Sequence, residues 1–110
     1  IYSGRKRDLM DLMDKNYDKP LTIEDYARLS GRSLSKFKQD FKEVFNLPPK
    51  QWVNRKRLER AYSLLATGDS SVTDACFHVG YENTSYFTQL FKKNFGLTPK
   101  KLQKNQNQQK

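Results

Sequence analysis

The feature that most constrains this chain is an internal duplication. Displaced by 50 positions, residues 35–50 fall on residues 85–100 with nine identities in sixteen pairs. Ser35 meets Ser85, Phe37 meets Phe87, Gln39 meets Gln89, and Phe41-Lys42 meets Phe91-Lys92. Phe45 meets Phe95, Leu47 meets Leu97, and Pro49-Lys50 meets Pro99-Lys100. Upstream the best offset drops to 49, pairing Ala27 with Cys76 and Gly31 with Gly80. The second copy therefore carries one extra residue in its turn, near Glu82-Asn83. A repeat of this size is one small supersecondary unit used twice. At 110 residues the chain has no room for a Rossmann fold with a substrate domain, or for a TIM barrel.

Each copy reads as helix–turn–helix. In the first, Thr22 is a candidate N-cap, with Asp25 completing a capping box. Ile23, Tyr26, Ala27 and Leu29 form a short apolar stripe. Ser30-Gly31-Arg32 breaks the helix, since glycine tolerates positive φ. Ser33 then caps a second helix whose apolar positions, Leu34, Phe37, Phe41, Val44 and Phe45, are spaced by threes and fours. In the second copy Ser71 leads Val72, Ala75, Cys76 and Val79, Gly80 breaks the helix, and Asn83 or Thr84 starts the next. Its stripe is Phe87, Leu90, Phe91 and Phe95.

Between the copies, Pro49 to about Ala66 reads as a helical rod of roughly 25 Å, and Arg5 to Tyr17 as a packing helix with Leu9, Leu12 and Met13. No segment has a convincing strand period. The expected fold is all-α, with helix–turn–helix subdomains at 1–48 and 68–102 joined by a connecting helix at 49–67. The polar tail 103–110, without an apolar residue, is expected to be disordered.

Charge narrows the class of partner. Lys and Arg number 21 against 12 acids, a formal net charge of +9. From Asn83 onward there are six Lys and no acid, and the rod carries Lys50, Arg55, Lys56, Arg57 and Arg60 against Glu59. Such a surplus points to a polyanion. Asp8, Asp11 and Asp14 mark the first helix as facing away from it. The lone Cys76 forms no internal disulfide, which suggests a reducing, cytoplasmic compartment. No apolar run approaches a membrane span, and no signal-peptide pattern is present. The chain begins Ile1-Tyr2 rather than with Met, which reads as a segment of a longer protein.

Opposite its apolar stripe, the second helix of each copy offers short hydroxyls, amides and lysines. Ser35, Lys36, Lys38 and Gln39 in the first copy, and Thr84, Ser85, Thr88 and Gln89 in the second, are candidate base readers. Gln suits adenine, Lys suits guanine, and Ser or Thr suits either. Lys42, Lys92 and Lys93, with Ser33, Arg55 and Asn83, are candidate phosphate contacts, which add affinity without reading sequence. Major-groove faces recur every ~34 Å along a duplex. The rod and its flanking bundles could set two heads one turn apart on an asymmetric site.

These residues resemble the DNA-binding region of the AraC/XylS family of bacterial transcription regulators, over about residues 5–102. The most specific stretch runs Gly80-Tyr81-Glu82-Asn83-Thr84-Ser85-Tyr86-Phe87-Thr88-Gln89-Leu90-Phe91-Lys92-Lys93-Asn94-Phe95-Gly96-Leu97-Thr98-Pro99. Arg57-Leu58-x-x-Ala61-x-x-Leu64-Leu65 in the rod is a second match. The resemblance implies about seven helices, with recognition helices at Leu34–Phe45 and Thr84–Asn94. It implies DNA contacts at Ser35, Lys38 and Gln39, and at Thr84, Ser85, Thr88 and Gln89. It also implies an activator that touches RNA polymerase, and an effector or dimerisation domain outside these residues. Two positions depart from the pattern: Asn46 stands where the second copy has Gly96, and Ala75-Cys76 replaces the commoner Ile-Ala, making Cys76 a packing residue.

Two other classes compete. A basic helical module could bind RNA or an acidic protein instead, and competition between duplex and single strand separates these from duplex reading. Catalysis finds no support: His78 and Cys76 have no sequence-adjacent partner, no paired carboxylates occur, and no spacing suits a metal or a cofactor. The basic residues share no long amphipathic face suited to a membrane surface. With no apolar seam evident, a monomeric fragment is expected.

Overall fold

The computed structural model describes residues 2–68 and 70–108, with side chains from Arg7 to Asn105 apart from Asp69. Among the described residues there are seven helices and no strand. They are α1 (Tyr2–Asn16), α2 (Ile23–Leu29), α3 (Leu34–Phe45), α4 (Pro49–Ala66), α5 (Val72–His78), α6 (Thr84–Phe95) and α7 (Pro99–Gln108).

The chain divides into two compact units, Ile1–Tyr17 with Leu21–Arg55, and Asp18–Pro20 with Lys56–Lys110. The division differs from the one expected from sequence, because it passes through α4. Each unit has its own core, and the repeat explains why the helix is shared. In the first unit Leu9 and Met13 of α1 pack with Phe37 and Phe41 of α3 and Val53 of α4. In the second, Ala61 and Leu65 of α4 pack with Phe87 and Phe91 of α6 and Leu102 of α7. The later turns of α4 thus take the part in the second unit that α1 takes in the first. Its first turns take the part that α7 takes in the second. Trp52 lies 4.7 Å from the Phe45 ring, and Leu102, its repeat mate, is buried.

The turns follow from local chemistry. The capping box at α2 is complete: Asp25 N donates to Thr22 Oγ1 at 3.1 Å and Thr22 N donates to Asp25 Oδ2 at 2.9 Å. The Thr22 backbone amide, followed by the Thr22 hydroxyl, holds the Asp25 carboxyl below its ordinary pKa of 3.8. Ser33, Ser71 and Asn83 cap α3, α5 and α6 by the N-cap bond alone, each side chain accepting the amide three residues on. Asn46 ends α3 at φ 62°, the only non-glycine with positive φ among the described residues. Asparagine tolerates this left-handed conformation better than most side chains, so the departure from glycine preserves the turn. The amides of Asn46 and Gly96 donate alike to Lys42 O and Lys92 O, at 2.9 and 2.8 Å.

Two ion-supported features fix the helix–turn–helix elements. In the first unit Arg32, in the turn, donates through Nε to Asp40 Oδ2 at 2.7 Å, and Lys36 Nζ lies 3.2 Å from Asp40 Oδ1. Both partners of the Arg32–Asp40 pair are largely buried, at 17% and 15% side-chain exposure. In the second unit Arg57 is buried beneath the turn. Its Nη2 donates to Lys19 O at 2.7 Å, and its guanidinium stands 5.1 Å from the Tyr81 ring centroid. Read from sequence as part of the rod's positive surface, Arg57 is instead a 7% exposed structural residue. It ties residues 18–20 to α4 through that carbonyl. Gly80 lies at φ +103°, and a Cβ built there would come 2.9 Å from both Asp18 O and Lys19 O.

Two further expectations change. The tail does not begin at Gln103, because α7 continues to Gln108. Leu102 is buried and Gln103 Nε2 donates to Ser70 O at 2.6 Å, anchoring a segment whose Gln and Lys residues are good helix formers. Gln109 and Lys110 lie outside the described residues. Leu29, assigned to the apolar stripe of α2, is 56% exposed, since it stands at the helix end where the stripe turns off the core.

Gly31 and Gly80 are repeat equivalents, and both have positive φ, but a Cβ at Gly31 meets nothing within 4 Å. Gly31→Ala should cost about 1–2 kcal/mol from backbone conformation alone. Gly80→Ala should cost more in urea denaturation, by the clash with the two carbonyls. Equal costs would mean that residues 18–19 yield freely.

Asp40 supplies a pH prediction. The Arg32 hydrogen bond, then Lys36, holds its carboxyl below the ordinary 3.8. As pH falls, the unfolded chain takes up this proton before the folded one. The stabilisation is therefore complete above about pH 4 and disappears as pH drops through the lower folded value. Wild type should be more stable than Asp40→Asn near neutrality, and the gap should close in acid denaturation series taken below that point.

Candidate nucleic-acid interface

In α3 the apolar side is closed by Phe37 and Phe41, both 0% exposed. Ser35, Lys38, Gln39 and Lys42 stand at i, i+3, i+4 and i+7, so they share one face, and all four are exposed. Ser85, Thr88, Gln89 and Lys92 occupy the same register of α6, opposite the buried Phe87 and Phe91. Ser85, Gln89 and Lys92 are exposed and Thr88 is half-buried. Within each unit the structure therefore gathers these candidates into a single outward row.

The remaining candidates separate from the rows. Lys36 is exposed and paired with Asp40 in an i, i+4 arrangement, and it stands one turn before Gln39 on the adjoining flank of α3. Its ammonium lies 3.2 Å from Asp40 Oδ1 while about half of the side chain stays exposed. Ser33 and Asn83 accept the amides of Lys36 and Tyr86 at 3.2 and 2.9 Å as N-caps, and each retains a donor. Thr84 is exposed at the first position of α6, whereas its counterpart Leu34 packs against the first core. Arg55 is exposed on α4, and Lys93 is exposed in the last turn of α6. Lys42 and Lys92 also lie in last turns, where a cation favours the helix dipole. They thus have a structural use beside any phosphate contact.

Lys50 belongs with this set, although the sequence reading did not place it there. A cleft of about 450 Å³ beside α3 is lined by Lys38, Lys42 and Lys50 together with Ile23, Glu24, Pro48 and Pro49. Lys50 and its mate Lys100 stand in the first turns of α4 and α7, where a cation opposes the helix dipole. Helix stability therefore gives no reason for either. Their identity across the repeat was the signal available in the sequence.

Other chemistry finds little footing. Cys76 is 0% exposed and burial pushes its thiol pKa up, the opposite of what a nucleophile needs. Among the described residues, no group of three or more His, Cys, Asp or Glu is placed to hold a metal ion. Nor, among them, is any helix long and apolar enough to cross a membrane. Phe77 and Tyr86, which belong to neither apolar stripe of the second copy, are 53% and 40% exposed.

Comparison with known proteins agrees with this geometry. A family model described as a helix-turn-helix domain matches residues 26–105. The virulence regulon transcriptional activator VirF of Yersinia enterocolitica is 34% identical over 91 residues, covering 83% of this chain and 34% of that protein. The chain spans about a third of the length of the curated relatives it matches. The C-terminal domain of the two-component response regulator yesN from Fusobacterium nucleatum superposes with a TM-score of 0.84 at 26% identity, covering 91% of this chain and 98% of that one. The DNA-binding domain of the global transcriptional factor AdpA, solved in complex with a target DNA, reaches 0.84 at 19% identity, covering 96% and 95%, and so shares the fold. This chain belongs to the AraC/XylS family of helix–turn–helix proteins.

Proposed function

We propose that this chain binds duplex DNA in a sequence-specific manner as part of a bacterial transcription activator, with α3 and α6 each reading the major groove. The observation that carries the reading is the duplicated outward row, Ser35-Lys38-Gln39-Lys42 and Ser85-Thr88-Gln89-Lys92, set on helices whose other side is locked into a core. A helix that must report base identity needs that combination of rigid support and short polar reach. The net charge of +9 supplies the sequence-independent part of the affinity. The activator role draws on relatives such as VirF, and it extends to contact with RNA polymerase and to association with the nucleoid. The fragment acts as a monomer, with signal sensing and any dimerisation residing in other parts of the protein.

The exposed rings of Phe77 and Tyr86 favour the second reading, in which bases of a single strand stack on aromatic side chains. Competition decides between them: duplex reading requires that single-stranded DNA or RNA fail to displace a selected duplex at equal concentration.

Selection of bound duplexes from a random library should return two short blocks. Gln39→Ala or Gln89→Ala should each cost about 1–3 kcal/mol and relax preference at one base pair of one block. Unchanged base preferences in both variants would remove the assigned rows from the interface.

Lys42→Ala should behave differently. It should weaken all duplexes alike and reduce the slope of log K against log salt by about one unit. A selective loss on some sequences would make Lys42 a base reader instead.

A further inference from the structure

We infer that the two reading helices recognise near-copies of one short subsite, and that Lys38 against Thr88 is the pair that tells the halves of the operator apart. This rests on the duplex-reading proposal above and goes beyond it in naming what differs between the halves.

Of the four positions in each outward row, three are identical: Ser35 and Ser85, Gln39 and Gln89, Lys42 and Lys92. The supports beneath the rows are also alike. Phe37, Phe41 and Phe45 repeat as Phe87, Phe91 and Phe95, and the C-caps Asn46 and Gly96 both adopt the left-handed conformation. Identical side chains on matching supports present the same donors and acceptors, so they select the same bases. From the first to the fourth residue the row spans about 10 Å. That length faces roughly three base-pair steps, so each subsite is short and each position in it counts.

The one difference changes the chemistry. Lys38 offers three donors and no acceptor on a long stem, and it is exposed in its row. This suits the O6 and N7 acceptors of guanine. Thr88 is half-buried and offers a short hydroxyl with a methyl. Such a side chain reaches only a base that comes close, and it accommodates a thymine methyl. Neighbouring differences do not compete for the role. Lys36 is held by Asp40. Thr84 has the half-buried Leu34 as its counterpart, so it adds a contact at the edge of the second subsite without altering the three shared positions.

The test is selection from a random duplex library with the wild-type chain, Lys38→Thr, Thr88→Lys, and Gln39→Ala, each checked for retained helix content by circular dichroism. Wild type should select two blocks that share an adenine position, with guanine preferred about tenfold or more at the adjacent position of one block alone. Lys38→Thr should erase that guanine preference and make the first block resemble the second. Thr88→Lys should introduce it into the second block. The inference is overturned if the two wild-type blocks share no base. It is equally overturned if Lys38→Thr weakens every duplex alike, which would make Lys38 a phosphate contact. In that case Gln39→Ala still shifts a block, and duplex reading stands. If no variant changes any block, or wild type selects none, the duplex-reading proposal and this inference both fall.

Discussion

A helix that buries phenylalanines at i and i+4 has almost no freedom left about its own axis. Phe37 and Phe41 do this in α3 and Phe87 and Phe91 in α6, and the half-buried Phe45 and Phe95 extend each series, with ring centroids 4.2 to 5.8 Å apart. Each fully buried ring is worth about 1.5–3 kcal/mol by area, so rotating either helix to expose its apolar side is prohibitive. Everything said of the outward rows depends on that constraint. Serine, glutamine and lysine make little contribution to folding on an exposed face, and they are free to be chosen for what they touch.

The second dependency is on α4. A chain this short cannot give each unit a full set of private helices. The early turns of α4 serve one core and the later turns the other, which makes an 18-residue helix a packing element along its whole length. Arg57 shows what the sharing entails. A guanidinium sits 7% exposed because residues 18–20 belong to the second unit and bring the Lys19 carbonyl within 2.7 Å of its Nη2. Gly80 is glycine for the same reason: the segment at residues 18–19 approaches too closely to leave room for a methyl group.

Much of this was legible in the sequence, and the rest was hidden for identifiable reasons. The duplication, the N-caps at Thr22, Ser33 and Ser71, and the Phe stripes are local signals, set by spacing and by backbone hydrogen bonding within a few residues. Arg57 was misassigned because its partner, the Lys19 carbonyl, is reached through tertiary geometry that charge counting cannot see. The extension of α7 to Gln108 was missed for a related reason. A segment without apolar residues looked unable to fold, but its anchors are Leu102 and the Gln103–Ser70 hydrogen bond, and the latter joins positions 33 apart. The same limit applied to the candidate site: the outward rows were readable from periodicity, whereas the cleft that brings Lys50 beside Lys38 and Lys42 was not.

The division between affinity and specificity follows from where the charges stand. Lysines at helix ends and in first turns recur in both copies, as Lys42 with Lys92 and Lys50 with Lys100, and contact with phosphate oxygens tolerates such repetition because the backbone is the same everywhere. Base edges are not. A duplicated domain begins with two equal heads, and equal heads read equal words in either order, so a site could be bound in two registers that compete. Differences confined to the reading row remove that degeneracy while leaving both cores intact. Substituting lysine by threonine in the middle of a row changes donor count, reach and charge at once, yet disturbs none of the buried phenylalanines. On the proposed reading, a single exposed position is therefore enough to orient this chain on an asymmetric sequence, at a smaller structural cost than any change in the supports beneath it.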